Sequence, residues 1–222
     1  MFRMLQDKKF RAARVWSNEV LRQIAPFFKG KVINVSGWRD EDKQGRCYRE
    51  YFSSADSYSI SNLGGYRGES LDTTYVLDLE EALPDVMRHK FDVVYNHTTL
   101  EHVFDIFTAV RNLCEMSRDI VIVVVPFIQE QHAHDSFSDY WRFTPLGIKA
   151  LFDANGLEPI LLCSTPGRHS AVYHLLVASR YPGKWAGMFN GISCIENKGE
   201  AFFTDPLRRL IRWIASRQVT RD

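Results

Sequence analysis

The sequence predicts an α/β protein, a mostly parallel sheet with helices on both faces. Short runs of β-branched and aromatic residues alternate with segments of helical periodicity. That order builds parallel sheets covered on two sides. The longest apolar run, IVIVVVPFI from Ile120, shows no polar alternation, so it reads as a strand buried on both faces.

Each element has its own signal. Trp16, Val20, Ile24, Phe27 and Phe28 recur at helical spacing, which predicts an amphipathic helix over about 10–28, stopped by Gly30. Residues 32–36 read as the first strand, 58–61 (YSIS) as a weak second and 74–79 (TYVLDL) as a third. A helix-compatible segment, EEALPDVMRH, follows. FDVVYN, 91–96, is the fourth strand. A helix from about Val103 to Met116 then carries Phe104, Phe107, Val110, Leu113 and Cys114 on one side. The fifth strand is 119–125. Thr144 before Pro145 is an N-cap signal with proline in the first turn, and Asn155-Gly156 is a stop. Strands over 157–163 and 171–179 complete the pattern.

A chain of 222 residues suits one decorated domain. The division expected is an N-terminal helical segment (1–29), a Rossmann-like domain (30–180) and a C-terminal extension (181–222). A net charge of +1 offers no electrostatic case for nucleic acid. Cys47, Cys114, Cys163 and Cys194 form no C-x-x-C pair, which fits reduced thiols in a cytoplasmic protein. No secretory signal or bilayer-length apolar stretch is visible. In the extension, Leu207, Leu210, Ile211 and Ile214 share one helical face among arginines. Such a face packs on its own domain or on a partner subunit or second copy more often than on a membrane surface.

Parallel sheets bind ligands beyond the carboxyl ends of their strands, and polar groups concentrate there. Asn34, Ser36 and Gly37 follow the first strand, and Ser61 and Asn62 close the second. Asp78 and Leu79 end the third, while Asn96, His97, Glu101 and His102 follow the fourth. His132, His134 and the stretch DYWRFTP (139–145) follow the fifth. Four of the seven histidines fall in these last two segments. Histidine is the side chain best suited to proton transfer near neutral pH. His97 and His102 are five apart and His132 and His134 two apart, and no cysteine or carboxylate set completes a metal pattern, so no metal is expected. The G-x-G-x-x-G turn of nicotinamide enzymes is absent.

FDVVYNHTTLEHVFD (91–105) and VVVPFIQEQHAHDSFSDYWRFTPLGIKALF (123–152) resemble the segments after the fourth and fifth strands of class I S-adenosylmethionine-dependent methyltransferases, in the branch that modifies small molecules and glycans. The resemblance runs from about Lys31 to Arg180. It implies a Rossmann-like sheet of seven strands, the last antiparallel, and S-adenosylmethionine as cofactor. The cofactor motifs are altered. Asn34 stands where the family has an acid, Ser36-Gly37-Trp38 replaces its G-x-G turn, and Ser61 with Asn62 replaces a ribose-binding carboxylate. Ser117-Arg118-Asp119 stands in place of the glycine pair before strand five. Asp78 occupies the position of the acid near the adenine amino group.

On this resemblance the cofactor site comprises Asn34, Ser36, Gly37, Ser61, Asn62, Asp78, Leu79, Asn96 and His97. His132 or His134 is the candidate base, and Glu101, His102, Tyr140, Trp141 and Arg142 are candidates for the acceptor. Plainer roles compete: Asp78 as a helix cap, Glu101 and His102 dressing a helix start, Arg142 packed on aromatics. The function expected is methyl transfer to an oxygen or nitrogen of a small molecule or sugar. The alternative is an inactive methyltransferase-like scaffold. Trp38 poses the specific problem, because a bulky ring stands where the family's backbone approaches the methionine moiety.

Overall fold

The computed structural model describes residues 2–64, 73–134, 137–166 and 171–192, with side chains described from residue 11 onward. The apolar helix face expected around 207–214 lies outside them. Seven strands form one sheet: β1 (Gly30–Val35), β2 (Ala55–Asn62), β3 (Tyr75–Val76), β4 (Phe91–His97), β5 (Ser117–Pro126), β6 (Glu158–Ser164) and β7 (Tyr173–Ser179). Their order is β3-β2-β1-β4-β5-β7-β6. Pairings among the first five are parallel, and β7 runs antiparallel to both neighbours. The order reverses between β1 and β4, so the crevice at their carboxyl ends is the expected ligand position.

Alternate residues of the central strands feed two cores, as the pleat requires. Val121, Val123 and Val125 join Ile33, Val35 and Val94 on one face, under helices α2 (Ile106–Met116) and α3 (Pro145–Asp153). Ile120, Ile122 and Val124 join Val32, Val93 and Tyr95 on the other, under α1 (Phe2–Ile24). Helix α1 contributes Ala13, Val20, Leu21 and Ile24. Phe28, Trp185 and Phe189 close the lower rim of this second core. Burial on both faces explains why the central strands read as uninterrupted apolar runs.

The cap expected at Thr144 is present, and Asp105, not singled out as a cap from the sequence, supplies another. The Thr144 hydroxyl accepts from the Gly147 N–H at 3.0 Å, with Pro145 next. Asp105 caps α2 by accepting from the Thr108 N–H at 3.1 Å. Gly156, at a φ of 74°, follows α3 in a left-handed conformation that favours glycine.

Three expectations need correction. EEALPDVMRH forms no α-helix; only a 3-10 turn, Asp85–Met87, appears there. Pro84 removes a donor and restricts Leu83 before it. The Asn112 amide donates to the carbonyls of Leu79 and Glu81 at 2.9 and 2.8 Å, which pins a bend at 79–81 in place of a helix. Phe104 and Phe107 are exposed; Ile106, Ala109, Val110, Leu113 and Met116 form the buried face of α2. Cys163 is disulfide-bonded, whereas Cys47 and Cys114 are free thiols, so the expectation of reduced thiols throughout does not hold. No helix among the described residues is long and apolar enough to cross a membrane.

Candidate active site

A cavity of about 840 Å³ lies over the carboxyl ends of β1, β2, β3 and β4. Val76, Leu77, Asp78 and Leu79 line one end, and His102, His132 and Phe137 line the other. Asn34, Ser36, Gly37, Trp38, Asn62, His97 and Thr98 lie between them.

The loop after β1 is built around Asp40, a buried acid six residues beyond Asn34. Its carboxylate accepts from the Asn34 amide at 2.8 Å, the Tyr58 hydroxyl at 2.6 Å and the Arg49 N–H at 2.9 Å. Asp40 thus ties the end of β1 to β2 and to the loop, and it is not among the residues that line the cavity. Gly37 lies directly on that amide: a Cβ there would sit 2.6 Å from Asn34 Nδ2. Ser36, Trp38 and Asp40 adopt positive φ of 59°, 46° and 59°. Each left-handed, non-glycine residue costs about 1–2 kcal/mol, so the surrounding bonds must hold the loop.

Asn62 supplies two of them. Its Oδ1 accepts from the Trp38 N–H at 2.6 Å, and its Nδ2 donates to the Trp38 carbonyl at 3.2 Å and to Thr73 Oγ1 at 2.7 Å. The Trp38 ring stays at the cavity wall, with the Arg39 guanidinium 4.8 Å from its centroid.

His97 sits under α1. Ser17 Oγ donates to the Arg14 carbonyl at 2.8 Å, so His97 Nε2, 3.1 Å from that oxygen, is the protonated nitrogen. Nδ1 then accepts from Thr98 Oγ1 at 3.0 Å. Burial, reinforced by the Arg14 charge, holds the His97 pKa well below its usual value, so the ring is neutral. Arg14 also lines the cavity.

At the far end, Glu101 is 1% exposed, and neither carboxylate oxygen has a hydrogen-bond partner among the described residues. Burial pushes its pKa up to about 8. His102 Nε2 lies 3.8 Å from Glu101 Oε1, and His102 Nδ1 is 2.6 Å from the Ser138 carbonyl. The His132 backbone N–H donates to Asp139 Oδ2 at 2.7 Å, and the His132 ring Nδ1 lies 3.3 Å from the same oxygen. The Asp139 side chain is buried and receives a two-pronged pair from Arg142, at 2.6 and 2.7 Å. Burial raises the Asp139 pKa, but the Arg142 and His132 bonds outweigh it and hold the carboxyl at about 2.

The expected residues thus separate into two groups. Asn34, Ser36, Gly37, Asn62, Asp78, Leu79, His97, His102 and His132 line one cavity. Ser61 and Asn96 are buried outside that lining; the Asn96 amide donates to the Val35 carbonyl at 2.9 Å and ties β4 to β1. Tyr140, Trp141 and Arg142 are turned to structural partners. The Tyr140 and Trp141 N–H groups both donate to the Glu101 carbonyl, and the Trp141 indole donates to the Val103 carbonyl at 2.8 Å. Arg142 also donates to the carbonyls of Gln129, Glu130 and Trp141, so it braces the loop that carries His132. His134 pairs with Phe137 through the backbone, its ring stacked at 5.9 Å, and it is not among the cavity residues. Asp78 caps no helix; its Oδ1 accepts from the Glu80 N–H at 2.9 Å.

Arg14, Tyr48 and Thr98 line the cavity without having been singled out from sequence. The available signal for Arg14 was a basic residue one helical turn before Ser17 and Asn18 and two before Leu21, all buried.

No protein-family model matches this sequence, and no curated protein matches it. Solved structures do resemble it in fold. The 1,6-didemethyltoxoflavin-N1-methyltransferase of Burkholderia thailandensis, crystallised with 1,6-didemethyltoxoflavin and S-adenosylhomocysteine, is 15% identical with a TM-score of 0.52, over 80% of this chain and 88% of that one. The magnesium protoporphyrin IX methyltransferase of Synechocystis, with bound SAM, is 14% identical with a TM-score of 0.52, over 78% and 82%. An S-adenosylmethionine-dependent methyltransferase from Mesorhizobium loti is 13% identical with a TM-score of 0.52, over 73% and 96%. The chain therefore has the class I methyltransferase fold, including its antiparallel seventh strand.

Proposed function

We propose that this protein transfers a methyl group from S-adenosylmethionine to an oxygen or nitrogen of a small molecule or sugar. The observation that carries this reading is one continuous cavity. It joins Asp78 and Leu79 after β3, the Gly37 loop after β1, and the histidines after β4 and β5. Asp78 and Leu79 would meet the adenine. Asn62 would be near the ribose hydroxyls, which a neutral amide bonds less strongly than a carboxylate does. Ser36, Gly37 and His97 would surround the methionine moiety, and Arg14 offers a positive charge for its carboxylate. Structures of this fold with S-adenosylmethionine or its demethylated product bound support the choice of cofactor.

The sulfonium already makes the methyl electrophilic. The chain's own tasks are to align acceptor, methyl and sulfur and to take the acceptor's proton. His132 lines the acceptor end, and its ring Nδ1 lies 3.3 Å from Asp139 Oδ2, so it is the group best placed for that proton. His134 is the second candidate. The test is incubation with methyl-labelled donor and a panel of hydroxyl- and amine-bearing small molecules and sugars, read by mass spectrometry. A methyl gain on one acceptor class, reduced about 10²–10⁴-fold by His132→Ala, is expected. A folded protein that binds the donor but methylates no member of any class would favour a scaffold role.

A further inference from the structure

We propose that Glu101, His102 and His132 form a binding site for a divalent transition cation of the zinc class at the acceptor end of the cavity. One ligand atom from each residue lies within 4.8 Å of the other two. Tetrahedral zinc, with bonds near 2.0–2.2 Å, places its ligands about 3.3 Å apart. Small side-chain rotations close that difference.

Three independent features point to a cation. Glu101 is 1% exposed, and both its carboxylate oxygens lack a hydrogen-bond donor among the described residues. A buried carboxylate without donors is costly unless something positive joins it. Second, the Nδ1 atoms of the two histidines are turned to protein acceptors. His102 Nδ1 is 2.6 Å from the Ser138 carbonyl, and His132 Nδ1 is 3.3 Å from Asp139 Oδ2 and 3.4 Å from the Glu130 carbonyl. Those contacts fix the tautomer that leaves Nε2 for a metal, and outer-shell acceptors of this kind regularly support ligating histidines. Third, the support is rigid: Arg142 clamps Asp139 with two bonds and holds the loop bearing His132 through the carbonyls of Gln129 and Glu130.

Two nitrogens and one carboxylate oxygen make a three-ligand set, the number that catalytic zinc sites use while keeping a fourth position open. Here that position would open on the cavity, since His102 and His132 both line it. On the methyl-transfer reading, on which this role alone rests, an acceptor oxygen bound there would become more acidic. With the cation bound, His132 would act through it as a ligand, and the acidified acceptor would release its proton to solvent water; without the cation, His132 is the base named above. Cation binding stands apart from that role and can be measured with no methyl donor present.

The experiment uses the full chain, stripped with chelator and desalted, titrated with Co²⁺ and separately with Zn²⁺. The expected result is one cation per chain, micromolar or tighter for Zn²⁺, with the visible absorption of four- or five-coordinate Co²⁺. Glu101→Gln, His102→Ala and His132→Ala should each weaken binding about 100-fold or more. Asp139→Asn, acting through His132, should weaken it about 10–100-fold. Glu101→Gln is nearly isosteric and decides the matter if a histidine variant proves unstable by circular dichroism. Wild-type protein that binds neither ion below millimolar concentration, or a folded Glu101→Gln variant that binds as tightly as wild type, overturns the proposal. Failure to bind S-adenosylmethionine would leave this result untouched.

Discussion

Asn62 brackets the backbone of Trp38, accepting from its N–H at 2.6 Å and donating to its carbonyl at 3.2 Å. This pair holds a left-handed tryptophan at the cavity wall. Asn62→Ala removes both bonds, so the loop should loosen. The expected outcome is a loss of about 1–3 kcal/mol in denaturant unfolding and weaker cofactor binding. Unchanged stability would show that other contacts fix the loop.

Gly37 lies against the Asn34 amide so closely that a Cβ would stand 2.6 Å from Nδ2. Gly37→Ala should push Asn34 off Asp40, costing about 1–3 kcal/mol as an overpacked site does. A crystal structure of the variant checks this directly. An unmoved Asn34–Asp40 bond at 2.8 Å would contradict it.

Arg142→Ala leaves Asp139 buried without its charge partner. Breaking a buried pair costs roughly 3–5 kcal/mol; Arg142 is 26% exposed, so the lower end is expected, or less. Arg142→Lys should recover only part of this, because an ammonium cannot reproduce the two-pronged geometry. Equal melting temperatures for Arg142→Lys and wild type would argue against a geometric role.

His174 is fully buried, with Nδ1 2.8 Å from Ser164 Oγ. Burial lowers its pKa to about 4, against about 6.5 in an unfolded chain. Below pH about 6.5 the unfolded state therefore binds more protons. The stability that depends on the neutral ring is complete above that pH and is lost as the pH falls toward about 4. At about 1.4 kcal/mol per unit, the loss is on the order of 2–3 kcal/mol. Unfolding midpoints at about pH 7 and pH 4.5 should drop further in wild type than in His174→Gln. Equal drops would assign the acid sensitivity elsewhere.

The central strands were legible because burial on both faces leaves Ile120–Val125 without polar interruption. The segment after β3 was not. Leu79, Leu83 and Met87 recur every four residues, as on a helix, yet all three are buried from a largely non-helical segment. Pro84 and the Asn112 amide decide that, and the second acts from 33 residues away. Phe107 looked like a core residue, but α2 turns it to solvent. At the site, Asp78, Gly37 and His132 could be placed from strand ends alone. The role of Asp40 could not, because its partners Asn34, Arg49 and Tyr58 come from three separate segments. The grouping of Glu101 and His102 with His132 was hidden in the same way: neither loop alone carries a ligand spacing, and the three residues come together from two loops.

The cavity binds S-adenosylmethionine, the fold's cofactor in related structures, despite its altered loop. Isothermal calorimetry with S-adenosylmethionine and S-adenosylhomocysteine tests it most directly. One-to-one binding between micromolar and sub-millimolar is predicted. Asp78→Ala should weaken it about tenfold, the effect of losing roughly 1.4 kcal/mol. No binding of either compound at millimolar concentration, by protein shown to be folded, would rule out a working cofactor site.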